Sequence, residues 1–163
     1  MESPITYDLK LRPVEPGDEA FLYRVYASTR EEELARTGWD ETQKAAFLRM
    51  QFDAQSSYYE EHYRGAEFSV ILSGGHPAGR LYVARLREEI RIVDIALLPG
   101  HRGMGIGTRL LNDLISESEA SGQFLSIHVE RFNPALRLYE RLGFRAVEDK
   151  GVYLLMERPP RSR

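Results

Sequence analysis

The spacing of apolar residues changes several times along the chain and divides it into strands and helices. Apolar and polar positions alternate with a period of two, which is typical of half-buried strands, at 5–14, 67–73, 78–86, 90–98, 124–130, 144–149 and 151–158. Between these segments, apolar positions recur with the spacing of an amphipathic helix at 18–36, 40–63, 105–121 and 133–143. The pattern therefore predicts seven strands and four helices.

Residues at the helix boundaries support these assignments. Asp40 is a typical N-cap, and Gln43 stands where it would complete a capping box. Asn133 is the N-cap of the last helix, Pro134 occupies its first helical position and Gly143 follows its end. The second and fourth helices are therefore delimited by residues that favour helix ends.

The order of the elements predicts an α/β fold with helices on both faces of a mixed, mostly antiparallel sheet of about seven strands. Three strands between 67 and 98 follow one another through short turns, as in an antiparallel meander. The segment 90–130 is a strand, a helix and a strand, and such a crossover makes its two strands parallel. No long linker or internal repeat divides the sequence, so we expect one domain over residues 1–163.

Composition and charge indicate a globular protein and argue against nucleic-acid and membrane partners. The 163 residues are 42% hydrophobic and 29% charged, and the formal net charge is -3. There is no basic excess to displace phosphate counterions, and no apolar run approaches the roughly 20 residues of a membrane-spanning helix. The absence of cysteine excludes disulfides and a cysteine nucleophile, and the first residues lack a signal-peptide pattern. We expect a cytoplasmic protein.

The segment 101-HRGMGIGTRLL-111 places three glycines at the start of a helix. A strand that ends in a glycine turn before a helix presents unpaired backbone N–H groups and the positive end of the helix dipole, which together bind phosphate. Gly103, Gly105 and Gly107 remove side chains that would block the approach. Their spacing matches neither the P-loop nor the dinucleotide-binding pattern. The alternative is a tight strand-to-helix turn in which Gly107 serves only close packing.

Two motifs resemble those of the GNAT acetyltransferase superfamily. The segment 95-IALLPGHRGMGIGTRLL-111 resembles its acyl-CoA-binding motif, with Arg102, Gly105 and Gly107 at the motif positions. The segment 133-NPALRLYERLGF-144 resembles its second motif, and the order of the elements matches over nearly the whole chain. The resemblance implies an acetyltransferase that uses acetyl-CoA as cosubstrate, and the residues themselves give no reason to expect a metal.

The resemblance also implies which residues would hold the cosubstrate. The parallel fourth and fifth strands would splay apart, and the backbone of residues 96–98 would pair there with the pantetheine arm. Asn133 would contact that arm, and Tyr139 would lie near the thioester sulfur. The coenzyme pyrophosphate would be held by backbone N–H groups of Arg102, Gly103, Met104, Gly105, Ile106, Gly107 and Thr108.

Acetyl transfer to an amine needs a polarised thioester carbonyl and a proton for the leaving thiolate. The backbone N–H of Leu97 or Leu98 would polarise the carbonyl. Tyr139 would donate the proton, because tyrosines and thiols titrate within a few pH units of each other. Packing of the Tyr139 ring against the sheet is the alternative interpretation.

Three residues are candidates for the base that deprotonates the amine. His128 lies five residues before Asn133, where N-terminal-amine acetyltransferases of the superfamily often carry a glutamate. Its pKa near neutrality suits that role, and a hydrogen-bonded structural histidine is the alternative. Asp94 interrupts an apolar strand. Glu130 shares one face of its strand with His128 and Ser126.

The first two helices and the elbow between them would help to line the acceptor pocket, as in the superfamily. Glu60 and Glu61 would attract a cationic amine toward aromatic rings. In the alternative interpretation, Phe47 and Phe52 belong to the core and the two glutamates to a solvated face. The expected aromatic wall consists of Trp39, Phe52, Tyr58 and Tyr59.

These observations favour an acyl-CoA-dependent N-acetyltransferase that moves an acetyl group to the primary amine of a small molecule or peptide by direct attack in a ternary complex. A non-catalytic acyl-CoA-binding regulatory module and an O-acyltransferase are the alternatives. His62 and His76 lack the spacing of metal ligands. The unpaired edges of the final strands would allow a homodimer.

Overall fold

The fold is built on one mixed sheet of seven strands with helices around it. A computed structural model describes residues 8–161. The strands lie in the order β1-β2-β3-β4-β5-β7-β6, and β4 runs parallel to β5. This arrangement confirms the predicted α/β fold and its parallel crossover. The strand bounds are β1 Leu9–Pro13, β2 Glu67–Ser73, β3 His76–Arg85, β4 Glu89–Leu97, β5 Phe124–Glu130, β6 Arg145–Asp149 and β7 Tyr153–Arg158.

Residues 8–161 contain five α-helices in place of the four helices that the sequence predicts. The predicted helix 18–36 is divided at Thr29, because the hydroxyls of Ser28 and Thr29 bond to carbonyls three residues earlier, at 2.7 and 2.6 Å, and compete with the helical ladder. The last helix begins later than predicted, since a turn follows Asn133. The bounds are α1 Glu19–Ser28, α2 Glu31–Ala35, α3 Glu41–His62, α4 Ile106–Ser121 and α5 Leu136–Arg141.

The capping box at the start of α3 is confirmed. The Asp40 side chain accepts a hydrogen bond from the Gln43 N–H at 2.8 Å. The Gln43 side chain accepts one from the Asp40 N–H at 3.0 Å. Two N–H groups that the helix leaves unpaired are therefore satisfied.

Contacts divide the described chain into two compact units, and strands β3 and β4 contribute residues to both. The first unit contains residues up to Leu81 together with Ala96–Arg102. Its core includes Leu22, Tyr26 and Phe52. The predicted single domain over residues 1–163 stays a prediction.

The second unit contains Tyr82–Ile95 and the residues from Gly103 onward. Leu110, Leu111 and Leu114 form the buried face of α4, and β5 lies between β4 and β7 in the sheet. Buried apolar side chains of β4 and β5 meet in the parallel register, where Ile90 pairs with Leu125 and Ile92 with Ile127.

The buried Arg158 side chain holds the end of α5 in the second unit. Its Nε donates to the Leu142 carbonyl at 2.7 Å, and its Nη2 donates to Glu119 at 3.2 Å. Gly143 follows with a φ of 99°, and a Cβ there would approach Arg158 Nε to 3.1 Å. Arg158 therefore satisfies a carbonyl at the end of the helix that carries Tyr139.

Candidate active site

The parallel ladder between β4 and β5 is short. It joins Glu89–Ile92 to Phe124–Ile127, whereas β4 continues to Leu97 and β5 to Glu130. The end of β5 keeps its pairing with β7, through Glu130 and Tyr153. The register agrees with the predicted splay of the two parallel strands.

The end of β4, in the first unit, presents the backbone of Leu97 away from β3. The Leu98 N–H donates to the Ala78 carbonyl at 2.8 Å. The Leu97 carbonyl belongs to the same trans peptide and so points the opposite way, and the Leu97 N–H points with it. Of the two predicted donors, the Leu98 N–H is therefore already used, and the Leu97 N–H is the remaining candidate for polarising a thioester carbonyl.

The Arg102 side chain occupies the outward-facing edge of β4. Its Nε donates to the Leu97 carbonyl at 2.9 Å, and its Nη2 donates to the Ser28 hydroxyl at 3.2 Å. A ligand arm that pairs with the Leu97 carbonyl would have to displace this guanidinium group. The side chain of Arg102 therefore belongs to the candidate site in addition to its backbone.

The three glycines before and within α4 have different reasons to be glycine. Gly103 and Gly105 have φ values of 73° and 84°, which side chains rarely adopt. Gly107 has no positive φ, and a Cβ there would meet no atom of residues 8–161 within 4 Å. Close packing within the described chain therefore does not explain Gly107, so this part of the alternative is wrong. The positive φ values of Gly103 and Gly105 agree with its other part, a tight turn between strand and helix.

Backbone N–H groups without a helical acceptor lie where α4 begins. Gly105 is its N-cap, and Arg109 donates to the Gly105 carbonyl at 3.0 Å as the helical ladder starts. The preceding N–H groups, those of Ile106, Gly107 and Thr108, have no carbonyl four residues earlier in the helix. Together with the positive end of the helix dipole, they suit an anion.

Tyr139 is buried on α5 and holds its proton strongly. Burial, and then the negative charge of Asp94, raise the pKa of the Tyr139 hydroxyl to about 12. Its ring makes an edge contact with Phe144, with 5.7 Å between centroids. A neutral hydroxyl at this position can donate a hydrogen bond to a leaving sulfur throughout the physiological range.

The base candidates lie on opposite faces of the sheet. Successive side chains of a strand alternate between faces, so Asp94 shares the face of Ile92, whose register partner is Ile127. His128 and Glu130 are on the other face of β5. The charge of Asp94 acts on Tyr139, whereas His128 belongs to a different group of charged side chains.

His128 lies between two cations. Nη1 of Arg91 is 3.5 Å from its Nδ1, and Nζ of Lys150 is 3.2 Å from its Nε2. Burial, Arg91 and Lys150, in that order, lower the pKa of the His128 imidazole below its usual value. Sequence reasoning missed Arg91 and Lys150, because their approach depends on the register of β4 against β5 and on the turn after β6.

The prediction that Asn133 is the N-cap of the last helix and Pro134 its first residue is wrong, because α5 begins at Leu136 and its N-cap is Ala135. The Asn133 Oδ1 instead accepts a hydrogen bond from the Ala135 N–H at 2.8 Å, within the turn that precedes the helix. The Asn133 N–H donates to the Glu130 carbonyl, and the Asn133 carbonyl accepts from the Leu136 N–H. Contact with a pantetheine arm would therefore involve the amide nitrogen of the side chain.

The predicted aromatic wall does not form as one surface in the first unit. Phe52 is 4% exposed and belongs to the core, whereas Trp39 contacts Phe47 with 5.3 Å between centroids. Tyr58 stacks on His62 at 4.0 Å. Phe47 and Tyr58 are about 16 Å apart along α3 at the helical rise per residue. The predicted aromatic wall is therefore wrong. Helix α3 places Phe52 in the core, and its length separates Tyr58 from the contact between Trp39 and Phe47.

Residues 8–161 contain no group of three His, Cys, Asp or Glu side chains that could hold a metal ion. No helix among them is long and apolar enough to cross a membrane.

Comparison with known proteins identifies the family. The model of the acetyltransferase (GNAT) family matches residues 19–144. The chain therefore belongs to the GNAT acetyltransferase family, and the resemblance stated from its two motifs is confirmed.

Two curated relatives match parts of the chain. The ribosomal protein bS18 alanine N-acetyltransferase of Haemophilus influenzae is 37% identical over 67 residues, which are 40% of this chain and 46% of that protein. The N-alpha-acetyltransferase RimI of Mycobacterium tuberculosis is 30% identical over 100 residues, which are 59% of this chain and 60% of that protein. The matches thus span about half the length of these relatives.

A solved structure shows the same fold. The PaiA N-acetyltransferase of Thermoplasma acidophilum, in complex with coenzyme A, superposes with a TM-score of 0.70 at 16% identity. The superposition covers 93% of this chain and 99% of that one.

Proposed function

We propose that the protein transfers an acetyl group from acetyl-CoA to a primary amine. The observation that carries the proposal is Gly107. Glycine costs a helix about 1 kcal/mol relative to alanine, and neither backbone conformation nor packing among residues 8–161 requires it here. A ligand that approaches the start of α4 closely accounts for it, and the pyrophosphate of coenzyme A suits the N–H groups there.

In this proposal, two segments hold the cosubstrate. The N–H groups of Ile106, Gly107 and Thr108 bind the pyrophosphate, and the outward-facing backbone of Leu97 pairs with the pantetheine arm after the Arg102 side chain moves away. The Leu97 N–H polarises the thioester carbonyl, and a preorganised donor of this kind lowers a barrier by about 3 kcal/mol.

The reaction proceeds by direct attack of the amine on the thioester. His128 first takes one proton from the acceptor ammonium group; the neutral amine nitrogen then bonds to the carbonyl carbon, the carbon–sulfur bond breaks, and the second proton on nitrogen passes to the departing thiolate. The Tyr139 hydroxyl donates to the departing sulfur. Because Tyr139 has a pKa of about 12 and a thiol one near 8.5, the hydroxyl stabilises the thiolate mainly through its hydrogen bond.

The acceptor we propose is the α-amine of a polypeptide. The names of the relatives describe acetylation of an alanine of a ribosomal protein and N-alpha-acetylation. An α-ammonium group has a pKa of about 7.7 to 8.0, against about 10.4 for a lysine side chain. A histidine with a lowered pKa deprotonates the more acidic α-ammonium group more readily.

The test is calorimetric binding of acetyl-CoA to the wild type, to Gly107→Glu and to Ser116→Glu. The last variant is the matched control, since it adds the same charge to an exposed position of the same helix. We expect micromolar binding by the wild type and the control, and at least a tenfold loss for Gly107→Glu. Equal binding by all three would reject the pyrophosphate site.

Turnover against small amines, lysine peptides and peptides with free N-termini then tests the reaction. Release of free coenzyme A in the presence of peptides with free N-termini supports the α-amine as the acceptor. Binding without turnover of any acceptor would indicate a regulatory acyl-CoA-binding module, and ester products would indicate an O-acyltransferase. The cytoplasmic location and the homodimer stay predictions.

A further inference from the structure

The imidazole of His128 has a cation at each of its nitrogens. Nζ of Lys150, in the turn between β6 and β7, lies 3.2 Å from Nε2, and Nη1 of Arg91, on β4, lies 3.5 Å from Nδ1. Lysine and arginine side chains only donate hydrogen bonds, whereas a neutral imidazole offers one acceptor and an imidazolium offers none. Protonation of His128 would therefore remove the acceptor and add a third positive charge between two others.

Two carboxylates of the same group oppose these cations. On β4, Glu89 accepts hydrogen bonds from Ser126 and, at 3.4 Å, from Nη2 of Arg91. Nε of Arg91 donates to the Ser126 hydroxyl at 2.6 Å. The Glu89 carboxylate thus bonds to Ser126 and Arg91, and these contacts hold Arg91 beside His128.

The second carboxylate is Glu148 on β6. Leu155 of β7, which carries no charge, is the register partner of both His128 and Glu148, so the three residues form one row across the sheet. The Glu148 carboxylate lies 4.0 Å from Nζ of Lys150. Glu130, two residues further along β5, lies on the same face, and so do Glu157 of β7 and Arg145 of β6, which are register partners in the neighbouring row.

We propose that Lys150 is a positioning residue that keeps His128 in its neutral, proton-accepting form. The inference rests on the proposed role of His128 as the base. Burial contributes most to the lowered pKa of His128, and the directions of the charge effects agree with the inference, because Arg91 and Lys150 lower this pKa while Glu148 and Glu89 raise it.

Lys150 also marks where an acceptor would bind. Its ammonium group donates to Nε2 of His128, the atom to which the ammonium group of an acceptor would have to deliver its proton. The Lys150 side chain is 42% exposed and can move into solvent when an acceptor arrives. The acceptor ammonium group then replaces one of the same charge and geometry.

The test measures the imidazole pKa of His128 by NMR, in the protein without acceptor, with the resonance assigned through His128→Gln. Lys150→Gln should raise this pKa by about half a unit, the effect of one charge near the surface. Glu148→Gln should lower it, and Lys150→Arg should leave it unchanged. Lys10→Gln, at an exposed lysine of β1, is the matched control. An identical pKa in all variants would overturn the inference.

The pH profile of kcat/KM separates this inference from the proposed function. If His128 is the base, the acidic limb of the profile shifts to higher pH in Lys150→Gln and to lower pH in Glu148→Gln, by the same amounts as the imidazole pKa. If Lys150 served only the fold, the acidic limbs of the two variants would not shift in opposite directions. If the NMR pKa moves and the limbs stay fixed, His128 is not the base, and the effect of Lys150 on its protonation stands.

Discussion

The carbonyl oxygen of Ala96 lies 2.1 Å from the position that a Cβ would occupy at Gly79. No real Cβ tolerates such a distance, and the second neighbour, the Leu97 Cα, is 2.9 Å away. Gly79 on β3 therefore permits the backbone at the end of β4 to lie where it does. The outward-facing backbone of Leu97 depends on a glycine in the neighbouring strand.

Gly79→Ala should consequently destabilise the protein by about 2 to 3 kcal/mol, the usual cost of forcing an extra carbon into a filled space. Urea unfolding measures the change. Gly65→Ala is the matched control, because a Cβ at Gly65 meets no atom of residues 8–161 within 4 Å and its φ is not positive. Equal losses for the two variants would show that the close approach does not constrain β3.

Tyr139→Phe should lower kcat by about 100-fold, because the departing thiolate loses a preorganised hydrogen-bond donor. Affinity for acetyl-CoA should not change, because the ring and its contact with Phe144 remain. Stopped-flow or steady-state release of free thiol measures kcat, and calorimetry measures affinity. An unchanged kcat would remove Tyr139 from the reaction and leave it a packing residue.

Stability at alkaline pH should depend on Tyr139. The pKa of Tyr139 is about 12 in the folded protein and about 10 in the unfolded chain. Its full contribution to the free energy of unfolding is therefore present below pH 10. Between pH 10 and pH 12 the unfolded state ionises first, and stability falls. By pH 11 the wild type should lose about 1 kcal/mol more than Tyr139→Phe. Urea titrations of both proteins at pH 9 and pH 11 check this, and parallel losses would contradict it.

Stability at acid pH should depend on Asp18. Its carboxylate accepts two hydrogen bonds from Arg12, at 2.8 and 2.7 Å, which are the main reason that its pKa falls to about 2. The contribution is present above the unfolded value near 3.9 and is lost as the pH falls through 2. Asp18→Asn should be less stable than the wild type at pH 6, and the difference should shrink toward pH 2.

The matched control for this pair is Asp8→Asn, since Asp8 is 71% exposed beside Lys10. Its effect on unfolding should be small at every pH, as for most surface ion pairs. A difference between Asp18→Asn and the wild type that does not vary with pH would mean that the ion pair is not its cause.

Local features of the fold were predictable because short stretches of sequence determine them. Asp40 and Gln43 specify the start of α3 by themselves, and the period-two pattern of 124–130 gives β5 its observed bounds. The division between α1 and α2 was not predicted. It depends on hydroxyls that bond to the backbone rather than on apolar spacing.

The candidate site was predictable only where one segment supplies it. The glycines before α4 and Tyr139 stand in continuous motifs, but the partners of His128 do not. Arg91 reaches it from a strand 37 positions earlier in the chain, and Lys150 from a turn 22 positions later. Likewise, α3 carries Phe52 into the core and Tyr58 to the surface, which the list of aromatic residues cannot show.

The N–H groups of Leu97 and Leu98 point to opposite sides of β4, and this has a consequence for amide hydrogen exchange. The Leu98 amide, which bonds to Ala78 at 2.8 Å, should exchange slowly whether or not a ligand is present. The Leu97 amide faces away from β3 and should exchange rapidly in the free protein. If a pantetheine arm extends the ladder along this edge, acetyl-CoA will slow exchange at Leu97 and leave Leu98 unchanged, so two adjacent amides report separately on the strand and on its ligand.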